Sequence, residues 1–138
     1  MTGVAGVVGV GVDLCEVGRM RRVLARTPTF GARVFTAAER TYCDRRNDPA
    51  ERYAARFAAK EAVLKALGVG LGACALRDIE VGRKASGAPS IVLHGGAAEL
   101  AASRGVTAWQ VSLSHTATIA QATVLALSGH GETWPGPV

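Results

Sequence analysis

The chain has 138 residues, of which 49% are hydrophobic and 20% charged; this balance excludes intrinsic disorder and suffices to bury one core. A formal charge of +5 and a pI near 9.6 favour a negatively charged partner or ligand, whether nucleic acid, phosphate, acidic protein or membrane surface. Cys15, Cys43 and Cys74 are odd in number, widely spaced and without a CxxC pair, which argues against a disulfide framework or zinc site and fits a reducing cytosol, each thiol filling core space.

In chain order, the apolar start over residues 4–12 lacks a basic leader, is interrupted by glycines and ends in Asp13, so it reads as neither signal peptide nor membrane span. Residues 7–14, VVGVGVDL, alternate as a strand: Val8, Val10, Val12 and Leu14 share one face, Gly9, Gly11 and Asp13 the other. The bare glycine face leaves room for a ligand or another backbone. Asp13 is the one ionisable group on that face, and it either caps the next helix or serves a site.

That helix is predicted over residues 16–26. Val17, Met20 and Leu24 gather on one side; Arg19, Arg22 and Arg26 form a basic stripe on the other, either a solvated face or a docking surface. A shorter helix begins at the capping box Thr36 to Glu39.

The long helix starts at Asp48, Pro49 and Glu51, with Asp48 as the cap, Pro49 in the first turn and Glu51 at the capping-box position; Gly68 stops it. Tyr53, Phe57, Leu64 and Leu67 fall in one apolar arc, and Ala55, Ala58, Ala59, Ala62 and Ala66 line the opposite side, so the helix is packed on more than one face. Lys60 points into the apolar arc. Glu61 precedes Lys65 by one turn, which fits either an i to i+4 ion pair on a solvated edge or a functional pair.

After GVGLG (residues 68–72) come strands at 78–82 and 90–94, joined by a turn containing Gly87, Ala88 and Pro89, then a short helix at 97–104. Final strands at 108–114 and 118–127 meet in a tight turn at His115. This order predicts an α+β fold, an antiparallel or mixed sheet packed against a long central helix and shorter helices. Residues 1–128 read as one domain and 129–138, rich in Gly and Pro, as a flexible tail.

Two carboxylates, Asp13 and Glu61, suit Mg²⁺, which takes one or two protein oxygens and binds substrate phosphates. Lys65 followed by a glycine loop would add a point charge and backbone N–H groups for those phosphates. It is not a Walker loop, because the lysine precedes the glycines. Ser114 and His115 are neighbours in a strand and point to opposite faces, which excludes a hydrolase dyad between them.

GVGVDLCEVGR near the N-terminus, RFAAKEAVLKALGVGLG in the middle and VSLSHT near the end resemble, in order, the signature regions of the holo-acyl-carrier-protein synthases, the small single-lobe branch of the phosphopantetheinyl transferases. The resemblance covers residues 7–127. It implies Mg²⁺-dependent transfer of the 4′-phosphopantetheine arm of coenzyme A to a serine of an apo acyl carrier protein, with release of adenosine 3′,5′-bisphosphate.

It further implies metal ligation by Asp13 and Glu61, phosphate contact and catalysis by Lys65, and coenzyme contacts from Arg56, Pro89 and His115. Gly68 and Gly70 would let the loop approach the ligand. Glu61, or a metal-bound water beside it, is the implied base for the serine proton. Arg19 would meet the acidic carrier, with Arg22 and Arg26 extending the stripe. The family also implies a homotrimer with its active sites at subunit boundaries, in the cytoplasm, with no nucleic-acid partner and no membrane. Residues 30–47 and the tail fit the pattern loosely, and a phosphate role for Arg45 or Arg46 is weakly supported. The rival readings are a non-catalytic coenzyme A or nucleotide binder and a basic nucleic-acid module, the latter without a recognised motif.

Overall fold

The computed structural model describes residues 6–129. Strand β1 (Gly6–Glu16) leads into α1 (Val17–Arg26), followed by α2 (Phe30–Val34), α3 (Ala37–Cys43) and the long α4 (Ala50–Ala66). A 3-10 turn at Leu76–Asp78 opens the hairpin β2 (Ile79–Arg83) and β3 (Pro89–Leu93), then α5 (Gly95–Ser103), β4 (Ala108–His115) and β5 (Ile119–Ser128) complete the fold. The α+β class stands, and all strand pairings are antiparallel: a three-stranded sheet of order β1-β5-β4 and the separate β2-β3 hairpin. The expected tail after Gly129 lies outside the described residues.

Helix α4 lies across the three-stranded sheet, and the glycines of β1 explain how. A Cβ built on Gly9 would lie 1.8 Å from the carbonyl oxygen of Ala66, and one on Gly11 1.8 Å from that of Ala62. Another backbone, not a ligand, occupies the bare face. Ala122, Val124 and Ala126 of β5, paired with Asp13, Gly11 and Gly9, continue the same buried face. Ala58, Ala59, Ala62 and Val63 of α4 belong to the same core cluster. The apolar row of β1 therefore faces outward: Val8, Val10, Val12 and Leu14 are 44–61% exposed.

Several local expectations change. Asp13 lies inside β1, which runs to Glu16, and α1 has no side-chain cap. The capping box of α3 is present, Thr36 Oγ1 accepting from Glu39 N (3.1 Å) and Glu39 Oε1 from Thr36 N (2.9 Å). At α4, Asp48 Oδ1 accepts from Ala50 N (3.4 Å), but its carboxylate is chiefly engaged by Arg21 at 2.6 Å. Glu51 forms no capping box there and pairs with His115 instead. Helix α2, in the loosely matched segment, carries no strong start signal. It is held by Phe30, whose ring lies 6.1 Å from that of Phe35 and 6.0 Å from that of Phe57.

Lys60 does enter the apolar arc, and its charge is answered. It is fully buried, donates to Glu39 Oε1 (2.8 Å), Leu76 O (3.1 Å) and Ile79 O, and ties α3 and the β2 entry to α4. Glu39 also accepts from Val81 N at 2.9 Å.

A second polar link joins the same elements nearer the surface. Glu80 accepts from Thr36 Oγ1 (2.7 Å) and lies 3.0 Å from His94 Nε2. These bonds, the threonine's foremost, hold its carboxyl below the ordinary 4.5. A depressed folded pKa contributes stability above the unfolded value and loses it as pH falls through the folded one. Glu80→Gln is therefore expected to flatten the dependence of the urea midpoint on pH between about 5 and 3. An unchanged slope would mean the contact gives no preference for the carboxylate.

Candidate functional site

The charged residues of α4 divide into two groups at its two ends. Toward the C-terminal end, β1 brings Asp13 to Glu61 and Lys65. Lys65 Nζ donates to Asp13 Oδ1 (2.9 Å) and Val12 O (3.1 Å), so its partner lies 52 residues away and is not Glu61 one turn before. The solvated i to i+4 pair is thus replaced by a contact between helix and strand. The Glu61 carboxyl lies beside that of Asp13; burial first, then the interaction with Asp13, raise the pKa of Glu61.

Two carboxylates are held together beside the Lys65 ammonium, with the Arg19 charge also reaching Glu61. The donor set is all oxygen, which fits Mg²⁺, a hard cation that needs only one or two protein carboxylates when phosphates and water complete its shell. Among the described residues there is no group of three or more His, Cys, Asp or Glu placed to hold a metal, so a cation here would depend on ligand oxygens. Cys15 lies in the same field. Burial foremost, then Glu61 and Asp13, push its thiol up to about 11, which keeps it neutral and unreactive at pH 7.

Gly68, with φ +74°, follows Lys65 at the end of α4, where Arg104 donates to Leu67 O (2.7 Å). Lys65, Gly68, Arg104, Gly9, Val8 and Val10 line one open cavity of about 390 Å³. Gly70 is exposed, and a Cβ there would meet nothing within 4 Å, so space alone does not demand glycine at that position.

The second group lies about 13 Å along the helix axis, from the nine-residue offset between Arg56 and Lys65. Arg56, Pro89 and His115 come together in a cleft of about 330 Å³ that also takes in Tyr42, Arg46, Arg52 and Arg83. Arg56 is only 5% exposed, and its buried Nε has no hydrogen-bond partner. His115 Nδ1 stands 3.1 Å from Glu51 Oε1. Ser114 turns away from His115 and donates to Gln121 Oε1 at 3.0 Å.

Arg52, Arg83 and Tyr42 were not singled out by the sequence. Arg52 was findable, one turn before Arg56 on the same helix face. Arg83 and Tyr42 reach the cleft only through tertiary packing. Arg46 lines the cleft and Arg45 does not. The basic stripe of α1 is exposed: Arg19, Arg22 and Arg26 line a groove of about 320 Å³ on the face opposite the buried Val17 and Met20.

Arginines gathered without carboxylate partners at one end of a helix, and two carboxylates with a lysine at the other, suit a long polyphosphorylated ligand spanning both. Comparison with known proteins agrees. The family described as the 4′-phosphopantetheinyl transferase superfamily matches residues 9–122. A holo-[acyl-carrier-protein] synthase of Moorella thermoacetica is 48% identical over 122 residues, 88% of this chain and 95% of that protein. The crystal structure of the holo-ACP synthase from Plasmodium yoelii superposes with a TM-score of 0.82 at 28% identity, covering 93% of this chain and all (100%) of that one. That of the Helicobacter pylori holo-[acyl-carrier-protein] synthase in complex with coenzyme A gives 0.75 at 29% identity, over 85% of this chain and 98% of the other. Both in sequence over most of its length and in the course of its backbone, this chain belongs to the 4′-phosphopantetheinyl transferase superfamily.

Proposed function

We propose that this protein is a holo-acyl-carrier-protein synthase, transferring the 4′-phosphopantetheine arm of coenzyme A to a serine hydroxyl of an apo acyl carrier protein. The observation that carries this reading is the Asp13, Glu61 and Lys65 cluster at the crossing of β1 and α4, with the arginine cleft at the other end of the same helix. The nucleotide end of coenzyme A belongs in that cleft, by Arg56, Pro89 and His115, and the pyrophosphate belongs beside Lys65.

The serine oxygen attacks the phosphorus that carries pantetheine. The bond from that phosphorus to the bridging oxygen breaks, and adenosine 3′,5′-bisphosphate leaves with the electron pair. Lys65, held by Asp13, offers a fixed positive charge to the phosphate oxygens. Glu61, with two oxygens and a pKa raised by burial and by Asp13, is suited to accept the serine proton. Asp13 and Glu61 are the residues that would hold Mg²⁺, which when bound neutralises pyrophosphate charge.

The outward row Val8, Val10, Val12 and Leu14 on edge strand β1 supports self-association, for which the family resemblance suggests a trimer. The cavity beside Lys65 is lined by Val8 and Val10 from that row, so a neighbouring subunit laid on it would border the reaction site. Among the described residues no helix is long and apolar enough to cross a membrane. A cytoplasmic enzyme of lipid synthesis is the matching setting.

The test is incubation of the protein with coenzyme A, Mg²⁺ and a panel of apo carrier proteins, followed by mass spectrometry of the carriers. Gain of one phosphopantetheine arm on a serine is expected; carriers returned unmodified across the panel would refute the activity.

Carrier docking falls to the α1 stripe, because carriers present acidic helices around their serine and the stripe begins six residues after Asp13. Complementary charge mainly speeds encounter and fades with salt. Arg19→Glu with Arg22→Glu is expected to raise KM for the apo carrier about tenfold and to flatten its salt dependence. Coenzyme A affinity by calorimetry should stay at the parent value. Unchanged carrier kinetics would place docking elsewhere.

A further inference from the structure

Three guanidinium groups converge on one aromatic ring. The central guanidinium carbons of Arg52, Arg56 and Arg83 lie 4.0, 4.3 and 4.4 Å from the centroid of Tyr42. They come from different elements, Arg52 and Arg56 from α4 and Arg83 from the last residue of β2. Among the described residues none of the three is paired with a carboxylate. Glu51, the one acid lining the same cleft, faces His115.

Like charges this close repel, and one ring's quadrupole offsets only part of that repulsion. Arg56 adds a buried Nε with no partner. Such a set of unpaired guanidiniums suits an anion of more than one negative charge.

The ring itself is held firmly. Arg52 Nη1 donates to the Tyr42 carbonyl at 2.7 Å. Three residues before Tyr42 on α3, Glu39 is locked by Lys60 and Val81 N. Beyond the Arg52 bond to the Tyr42 carbonyl, Arg52, Arg56 and Arg83 all lie against the ring.

We infer that Tyr42 is a positioning residue whose ring gathers Arg52, Arg56 and Arg83 into one receptor for a phosphate monoester dianion, and so sets the preference for a nucleotide bearing a 3′-phosphate over one lacking it. This rests on the coenzyme A reading above, whose nucleotide end carries such a group. Arg83 stands across the hairpin from Pro89, so the β2-β3 turn and the ring together fix where that group sits.

The test replaces Tyr42 by phenylalanine and then by phenylalanines bearing one, two and three ring fluorines, which drain negative charge from the ring face at nearly constant shape. Calorimetry follows the binding of adenosine 3′,5′-bisphosphate and of adenosine 5′-monophosphate to each. Tyr42→Phe, which keeps the ring, sets the reference affinity for both ligands. Successive fluorines should weaken the bisphosphate progressively, by about tenfold at the third, and leave the monophosphate nearly unchanged.

Equal losses for both ligands, or a flat bisphosphate series, would overturn the inference, and so would a parent that fails to bind the bisphosphate. A parent that binds the bisphosphate with the expected fluorine trend, yet modifies no carrier, would refute the transferase reading and leave the role of Tyr42 standing. In a transfer-competent parent, the trifluorinated protein should show a raised KM for coenzyme A with kcat and carrier KM retained; a fall in kcat alone would also overturn it.

Discussion

Replacing Glu61 with alanine is expected to lower kcat/KM for phosphopantetheine transfer by about a thousandfold or more at ordinary Mg²⁺, with the circular dichroism spectrum unchanged. Glu61 is half-buried on a helix whose packing is carried by its alanines and Val63, so its removal takes away a carboxylate and little core. On the proposed reading, what is lost is a metal oxygen and the carboxylate that takes the serine proton.

Asp13→Ala should lose activity to a similar extent by a different route. Lys65 would keep Val12 O but lose its charged partner, so on the proposed reading both a metal oxygen and the orientation of the phosphate-binding ammonium suffer. Steady-state kinetics with a saturating apo carrier reads both. Full activity of the two variants would sink the assignment of this cluster to the reaction.

The second large effect is on stability. Lys60→Met is expected to cost about 3–5 kcal/mol, measured as a shift in the urea midpoint at constant slope. The methionine fills much the same volume, so the cost is electrostatic. Burial foremost, with the Arg56 charge, lowers the pKa of Lys60 against the pull of Glu39 and Glu80, so the ammonium depends on those partners. Remove it and Glu39, itself 2% exposed, keeps its bonds to Thr36 N and Val81 N but no counter-charge. The backbone oxygens of Leu76 and Ile79 lose a donor at the same time. A change below about 1 kcal/mol would show that Glu39 is protonated or rehydrated at little cost. Because Glu39 lies one turn before Tyr42 on α3, the variant should also bind coenzyme A less tightly even where it remains folded.

Local chemistry in the sequence foretold local structure well. The Thr36 to Glu39 capping box, the alanine-lined long helix and the final pair of strands are short-range features, and each forms within one or two residues of its expected bounds. What failed were inferences about partners. Of the two readings of Glu61 and Lys65, the i to i+4 ion pair does not hold, because β1 delivers Lys65 a carboxylate from 52 positions away. Glu51 was taken for a cap and instead faces His115 from the last residue of β4.

Lys60 in an apolar arc looked anomalous because Glu39, its answer, sits on another helix, 21 residues earlier. The outward valines of β1 reversed the usual direction of a hydrophobic face, because the glycine side could come closer to α4 than any side chain would allow. At the site, the residue types for phosphate and metal were legible from α4 and Asp13. The arginine and tyrosine cluster was not, since its members meet only when the hairpin folds against α3 and α4.

The contact between β1 and α4 has one more implication. Asp13 rides on the strand and Glu61 on the helix, and the gap between the two backbones is fixed where Gly9 and Gly11 touch the carbonyls of Ala66 and Ala62. A single methyl group at position 11 would act as a wedge, prising the acidic pair apart while leaving both acids in place. The smallest change of side chain available, at a residue that meets no substrate, is thus a direct route by which this lineage could drift out of its chemistry.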